Sequence, residues 1–316
     1  MLFHSTLSSI RLTLFFILAY ALLPGTSCID DRFDTIIRSE NNFDATGSLP
    51  VPGSGGIIST SSITDESVLL SWSKATDRLT PQAELEYRVF HSSSNNISTP
   101  SDAEKNGTPL GTWTKDAFSL SASGLDPAQT CYFNVIVMAA DGRKAAYVTV
   151  MATTLGTIYL YSSATMTGDL TVTDARTDAD ALCVAAPQPA PGLTHWRAFI
   201  SISEGDAISG FPGNYSVPTN LPVRTESRVM MAGNWADLMN GSINQKLNDA
   251  GISTSSRWSG STDSGDFYSS ANCDGWADGS SASNGRTGSP DYLDSNWISN
   301  LNTDCSTGLA ILCIAW

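Results

Sequence analysis

From residue 57 to residue 154 the apolar side chains come in short alternating runs separated by turn residues, the signature of a β-sandwich. Residues 67–72 (SVLLSW) supply one strand, residues 85–90 (LEYRVF) the next, and residues 131–137 (CYFNVIV) a later one. Beyond about residue 156 the character changes, with more tryptophan, four cysteines and a convincing helix. Residues 177–183 read as that helix, acidic in its first turn, with Ala179, Leu182 and Cys183 on its inner face. Residues 195–202 read as a strand carrying Trp196, Ala198, Ile200 and Ile202 on one face, and residues 234–239 as a second helix. A long Ser/Gly/Asp loop region then leads to a terminal strand at 309–314 that is apolar on both faces.

With 316 residues, two domains are the natural expectation, and 41% hydrophobic residues suffice for real cores. Basic and acidic side chains number 17 and 31, so the formal charge is 17 − 31 = −14. A pI near 4.4 argues against a nucleic-acid or heparin partner, which needs concentrated positive charge. Only 15% of residues are charged, and the abundance of Ser, Thr, Gly and Asn fits a β-rich, extracellular chain.

Residues 1–27 read as a signal peptide: Arg11 forms the positive region, residues 12–23 the apolar run, and Pro24-Gly25-Thr26-Ser27 precede Cys28. Small residues ahead of a cysteine are what a bacterial lipoprotein signal peptidase recognises, which makes Cys28 the lipidated N-terminus; ordinary secretory cleavage after Ser27 is the alternative. Leu23 lies further from the cysteine than in a standard lipobox, a looseness that resembles spirochaetal lipoproteins. The mature chain loses only Arg11, giving 16 − 31 = −15. Residues 28–56, with Asp30, Asp31, Asp34, Pro50, Pro52 and a GSGG stretch, read as a lipid-anchored tether.

No G-x-S-x-G, H-E-x-x-H or P-loop occurs, and the histidines are only His4, His91 and His195. His91, at a strand end beside a Ser/Asn loop, reads as a surface residue. No catalytic residue and no cofactor is assigned. Asp263, Asp266, Asp274 and Asp278 share one Ser/Gly-rich region and read either as calcium ligands or, preferably, as solvated loop carboxylates. Trp258, Trp276, Trp297 and Trp316 read either as a sugar-stacking platform or, preferably, as core.

Trp72, Tyr87 and the Gly124-Leu125-Asp126-Pro127 turn give residues 57–154 a resemblance to a fibronectin type III domain, with Cys131 where that family's corner tyrosine stands. The ordered set Ala179-Asp180-x-x-Cys183, Trp196 to Ile200, Asn234-Trp235-x-x-Leu238, Trp258-x-Gly260, Cys273-x-x-Trp276, Cys305 and Leu312-Cys313-Ile314 resembles the endostatin domain, and more closely the leptospiral endostatin-like outer-membrane lipoproteins. The resemblances imply a mostly β chain with some α: a fibronectin type III sandwich followed, over 157–316, by a disulfide-stapled α+β, C-type-lectin-like domain. Four cysteines permit three pairings, and the family's nested pattern implies Cys183–Cys313 and Cys273–Cys305. Cys131 is then left as a buried free thiol, or as a partner for an unlipidated Cys28. Endostatin's zinc histidines and clustered heparin-binding arginines have no counterpart here, since Arg197, Arg224, Arg228, Arg257 and Arg286 are scattered; neither zinc nor heparin is expected.

The function these resemblances imply is that of a non-enzymatic, surface-exposed, lipid-anchored protein of the cell envelope, on the outer-membrane surface. It would bind host matrix proteins such as laminin or fibronectin, or a complement regulator. The sandwich reads either as a ligand-binding module or, preferably, as a spacer. A carbohydrate-binding, lectin-like envelope protein is the alternative, and an enzyme acting on envelope polysaccharide a third.

Overall fold

The computed structural model describes residues 47–171 and 173–316, so the expected signal peptide and Cys28 lie outside the described residues. Eight strands build the first module: β1 (Ile58–Ser61), β2 (Ser67–Trp72), β3 (Glu86–Ser92), β4 (Thr108–Lys115), β5 (Ser119–Ser123), β6 (Thr130–Met138), β7 (Lys144–Ala146) and β8 (Val150–Thr153). They form two antiparallel sheets, one ordered β1-β2-β5 and the other β4-β3-β6-β7 with β8 also on β6. Strand alternation closes the space between them: Val68, Leu70 and Trp72 from β2 meet Tyr87 and Val89 from β3 and Cys131, Phe133, Val135 and Val137 from β6. Two buried tyrosines fasten the edges, the Tyr87 hydroxyl accepting from Ala75 N at 2.8 Å and the Tyr147 hydroxyl donating to Ser73 O at 2.6 Å.

β6 is buried on its other face as well, because a helix absent from the sequence reading covers it. This α1 (Pro100–Asn106) starts at Thr99, whose hydroxyl accepts from Asp102 N at 3.1 Å, with Pro100 in the first turn. Beneath it Phe90, Ile97, Ala103 and Ile136 form a small second core, and buried Asn134 donates to Ile97 O at 2.7 Å.

The tether boundary expected at residue 56 is corrected by the structure. Val51 and Thr76 exchange backbone hydrogen bonds of 2.7 and 2.9 Å, and Val148 N donates to Gly56 O. A Cβ on Gly53 would lie 2.4 Å from Lys74 O, so a glycine is needed where this segment presses on the sandwich. Residues 50–56 are therefore part of the first module's edge.

The second module is one eight-stranded sheet ordered β12-β11-β9-β16-β13-β14-β15, with β10 also on β16. Its strands are β9 (Ile158–Met166), β10 (Trp196–Ala198), β11 (Val223–Arg224), β12 (Met230–Ala232), β13 (Arg257–Trp258), β14 (Asn284–Gly288), β15 (Leu301–Asp304) and β16 (Leu309–Ala315). The first and last of these, β9 and β16, run antiparallel side by side. Both faces of β16 are covered: Leu312 and Ile314 enter one core with Phe199, Trp235 and Trp297, while Ile311, Cys313 and Ala315 enter another with Trp258 and Trp276.

The helix α2 (Ala175–Ala185) begins two residues before the expected start because Asp174, whose carboxylate accepts from Thr177 N at 3.0 Å, is its cap. Ala179 and Cys183 are buried and Leu182 partly so. The expected strand at 195–202 shortens to Trp196–Ala198, because Phe199 N bonds back to Leu312 O while Ser201 N has moved on to Ser259 O. The inner face is still the expected one, with Ala198 and Ile200 buried and Trp196 and Ile202 packed against the same core. Asn234 caps α3 (Trp235–Leu238).

Candidate functional site

Only Thr154 to Thr157 separate the last sandwich strand from β9, and side chains of both modules close over this joint. Asp65, 3% exposed, takes the Arg224 guanidinium at 2.5 Å and the Thr157 hydroxyl at 3.3 Å. Arg224 also reaches Glu66 at 3.1 Å. Arg228, in a left-handed turn after Glu226 and Ser227 (φ 66°), pairs with Asp126 and donates to Leu125 O at 3.2 Å. These residues fix the relative placement of the sandwich and the second sheet, because charge-assisted bonds from two arginines hold carboxylates of the opposite module.

Beside this joint opens a cleft of about 460 Å³, lined from the sandwich by Asp126 and Pro127 and from the second module by Tyr159, Pro191, Leu221 and Trp316. A smaller cleft of about 260 Å³ lies beyond Trp316, among Asp180, His195, Trp196, Arg197 and Tyr215. Trp316 lines both, its ring stacked on His195 at 5.3 Å. Arg197 lies 4.3 Å over the Tyr215 ring and 3.0 Å from Asp180. Burial pushes the Asp180 carboxyl above its ordinary value, against the opposing pull of Arg176 and Arg197. The wall of the cleft at the joint is aromatic and proline-rich and its rim is charged, the make-up of a surface that can take a ligand.

Cys183 and Cys313 form a disulfide that ties α2 to β16, and Cys273 and Cys305 form a second that closes the long loop. Cys131 is free and buried, and burial pushes its thiol pKa up. Tyr132, its neighbour, packs on the opposite face beneath α1.

The four loop aspartates do not converge. Asp266 accepts from the Ser209 hydroxyl at 2.6 Å, Asp278 accepts from Ser280 N at 2.7 Å, and Asp263 and Asp274 are exposed. Among the described residues no group of three or more His, Cys, Asp or Glu side chains is arranged to hold a metal. Trp258, Trp276 and Trp297 are buried, the first two edge-to-face at 5.9 Å, with their indoles donating to Met166 O and Ser201 O. Gly260 admits this packing: its φ is 59°, and a Cβ there would lie 2.7 Å from the Trp276 ring. Trp316 alone of the four is accessible.

His91 is a correction to the expected surface residue. It is half-buried against Phe133, ring centres 6.3 Å apart, and burial lowers its pKa. The pairing of the joint arginines with their carboxylates and the convergence of the cleft walls leave no signal in the sequence, because Asp65 and Arg224 stand 159 positions apart with no local pattern linking them.

Comparison with protein families and with curated proteins gives no match. Among solved structures the chain is similar to a fibronectin type III domain of human fibronectin type III domain containing protein 3, with 14% identity, covering 34% of this chain and 86% of that one, at a TM-score of 0.26. The sixth such domain of that human protein gives 17% identity, 36% and 93% coverage and a TM-score of 0.27. The FN5 domain of Drosophila Lar gives 16% identity, 34% and 99% coverage and a TM-score of 0.23.

Proposed function

We propose that this protein is a surface-exposed bacterial lipoprotein, anchored through Cys28 on the outer membrane, that binds host matrix or complement-regulatory proteins and performs no catalysis. In this reading the first module is a fibronectin type III stalk and the second an endostatin-like, C-type-lectin-like head. The strand order of the sandwich supports the first part. The second is supported by the antiparallel neighbours β9 and β16 and by the helix-to-last-strand disulfide. The observation that carries the functional reading is the cleft at the joint, walled by both modules and fixed in shape by the Arg224–Asp65 pair, which offers a preformed surface for a protein ligand.

The test is binding of the purified, oxidised protein to immobilised laminin, fibronectin and complement regulators, with a glycan array alongside. Saturable binding to a protein, weakened by Trp316→Ala and lost on reduction, supports the proposal. Binding to glycans alone replaces it with the lectin reading, which the accessible Trp316–His195 stack favours. No binding on any surface removes both.

A further inference from the structure

One arginine stands apart from the others. Arg176, Arg197, Arg224 and Arg228 all face carboxylates, and Arg286 lies 4.7 Å over the Tyr268 ring and donates to Ser299 and Asn302. Arg257, on β13, is 1% exposed, and among the described residues neither a carboxylate within 4.0 Å nor an aromatic face accompanies it. Its single hydrogen bond runs from Nη2 to Ser255 O at 3.2 Å, and the Nε and Nη1 donors are buried without an acceptor. A guanidinium has five N–H donors, so most of this group's capacity is unused.

The direction in which the side chain points follows from the sheet. Its neighbour Trp258 enters the core that contains Trp276, so Arg257 faces the other side. On that side its cross-strand partner Gly288 is pressed against the backbone of Trp297, where a Cβ would lie 2.2 Å from Trp297 O. Trp297 is itself 1% exposed and its indole Nε1 is a second buried donor without an acceptor. Two donor groups on one face of the sheet, one of them cationic, thus stand against an otherwise apolar core. Burial lowers the Arg257 pKa to about 10, which leaves it charged at neutral pH.

We propose that Arg257 is the centre of an internal anion site that takes one small monovalent anion of halide size. A buried cation without a counter-charge is unfavourable, and a halide accepts several N–H donors at once without demanding a fixed geometry. Ser255, whose carbonyl accepts from the guanidinium, is exposed, which places this end of the site next to the surface. The site is separate from the clefts around Trp316 and does not depend on what they bind.

The experiment is thermal unfolding of the full oxidised protein as chloride replaces methanesulfonate at constant ionic strength and neutral pH. The midpoint should rise by a few degrees with the logarithm of chloride above its dissociation constant, and Arg257→Met should remove the dependence. A flat response in the unmodified protein, or the same slope in Arg257→Met, overturns the proposal. Should Arg257→Met fail to fold, crystals of the unmodified protein soaked in bromide decide the matter. An anomalous peak within hydrogen-bond reach of the Arg257 guanidinium supports the site, and none there overturns it.

Discussion

In the sandwich, Val68, Leu70 and Trp72 interlock with Phe133, Val135 and Val137 across two regular sheets, and its one described cysteine is free. In the second module, β11 and β13 are each two residues long, much of the chain between β12 and β14 is loop, and two disulfides bridge the structure. The first region stays closed because its alternating strands bury a continuous apolar layer. The second spreads its apolar residues over two cores on opposite faces of one sheet and ties its first helix covalently to its last strand. Short strands suffice where cross-links have already limited the freedom of the unfolded chain.

That contrast is open to experiment, and the largest effect belongs to the cross-links. Loop closure over 130 residues for Cys183–Cys313 and 32 for Cys273–Cys305 corresponds to about 5 and about 4 kcal/mol. Reduction should therefore collapse amide-exchange protection throughout 158–316 and leave 58–153 protected. Equal loss in both regions would break the comparison.

Next comes the packing of each core. Trp276→Ala, which empties a site at 0% exposure, should cost about 3–5 kcal/mol, and Leu70→Ala about 2–4 kcal/mol, each read by denaturant unfolding of the affected module. The joint is comparable: Arg224→Ala strands the Asp65 carboxylate at 3% exposure, and a loss of about 3 kcal/mol is expected. Its particular outcome is separation of one cooperative transition into two in calorimetry. A single unchanged transition would show that the modules are coupled by something other than this pair.

A smaller effect distinguishes the modules by pH. The hydrogen bonds and charge of Arg143 hold the Asp77 carboxyl at about 2, below its ordinary 3.8. A depressed carboxylate stabilises the fold fully above its unfolded value, and that contribution is lost as pH falls through about 2. Urea midpoints of the sandwich should drop between about pH 4 and about pH 2, and Asp77→Asn should flatten the drop. The smallest expectation is Lys115→Ala, which removes an exposed pair with Glu84 and should leave the midpoint unchanged.

How much of this was legible in the sequence varies with the range of the interaction involved. Strands β2, β3 and β6 announced themselves through period-two alternation, and β16 through a run apolar on both faces, since each pattern reports only on its own segment. The helix α1 was equally local, signalled by Thr99-Pro100 with Asp102 at the third position, but its seven residues are too few for a strong apolar stripe. The packing of residues 50–56 was hidden because a Pro/Gly-rich stretch looks alike whether it is docked or free. The halves of the candidate cleft, Asp126 with Pro127 and Trp316 with Tyr159, come from opposite modules, and no sequence period joins them.

The sequence by itself determined the two β-rich regions, the acidic balance, the residues that fill the cores and the placement of the cysteines, because alternation, composition and turn chemistry act within a few residues. Only the tertiary structure decided that Arg224 and Arg228 lock the modules, that three tryptophans are core while Trp316 faces a cleft, and that Arg257 is a cation without a counter-charge among the described residues. Those properties depend on which distant groups share a neighbourhood, and it is the pairing of strands such as β9 with β16 and β13 with β14 that brings them together.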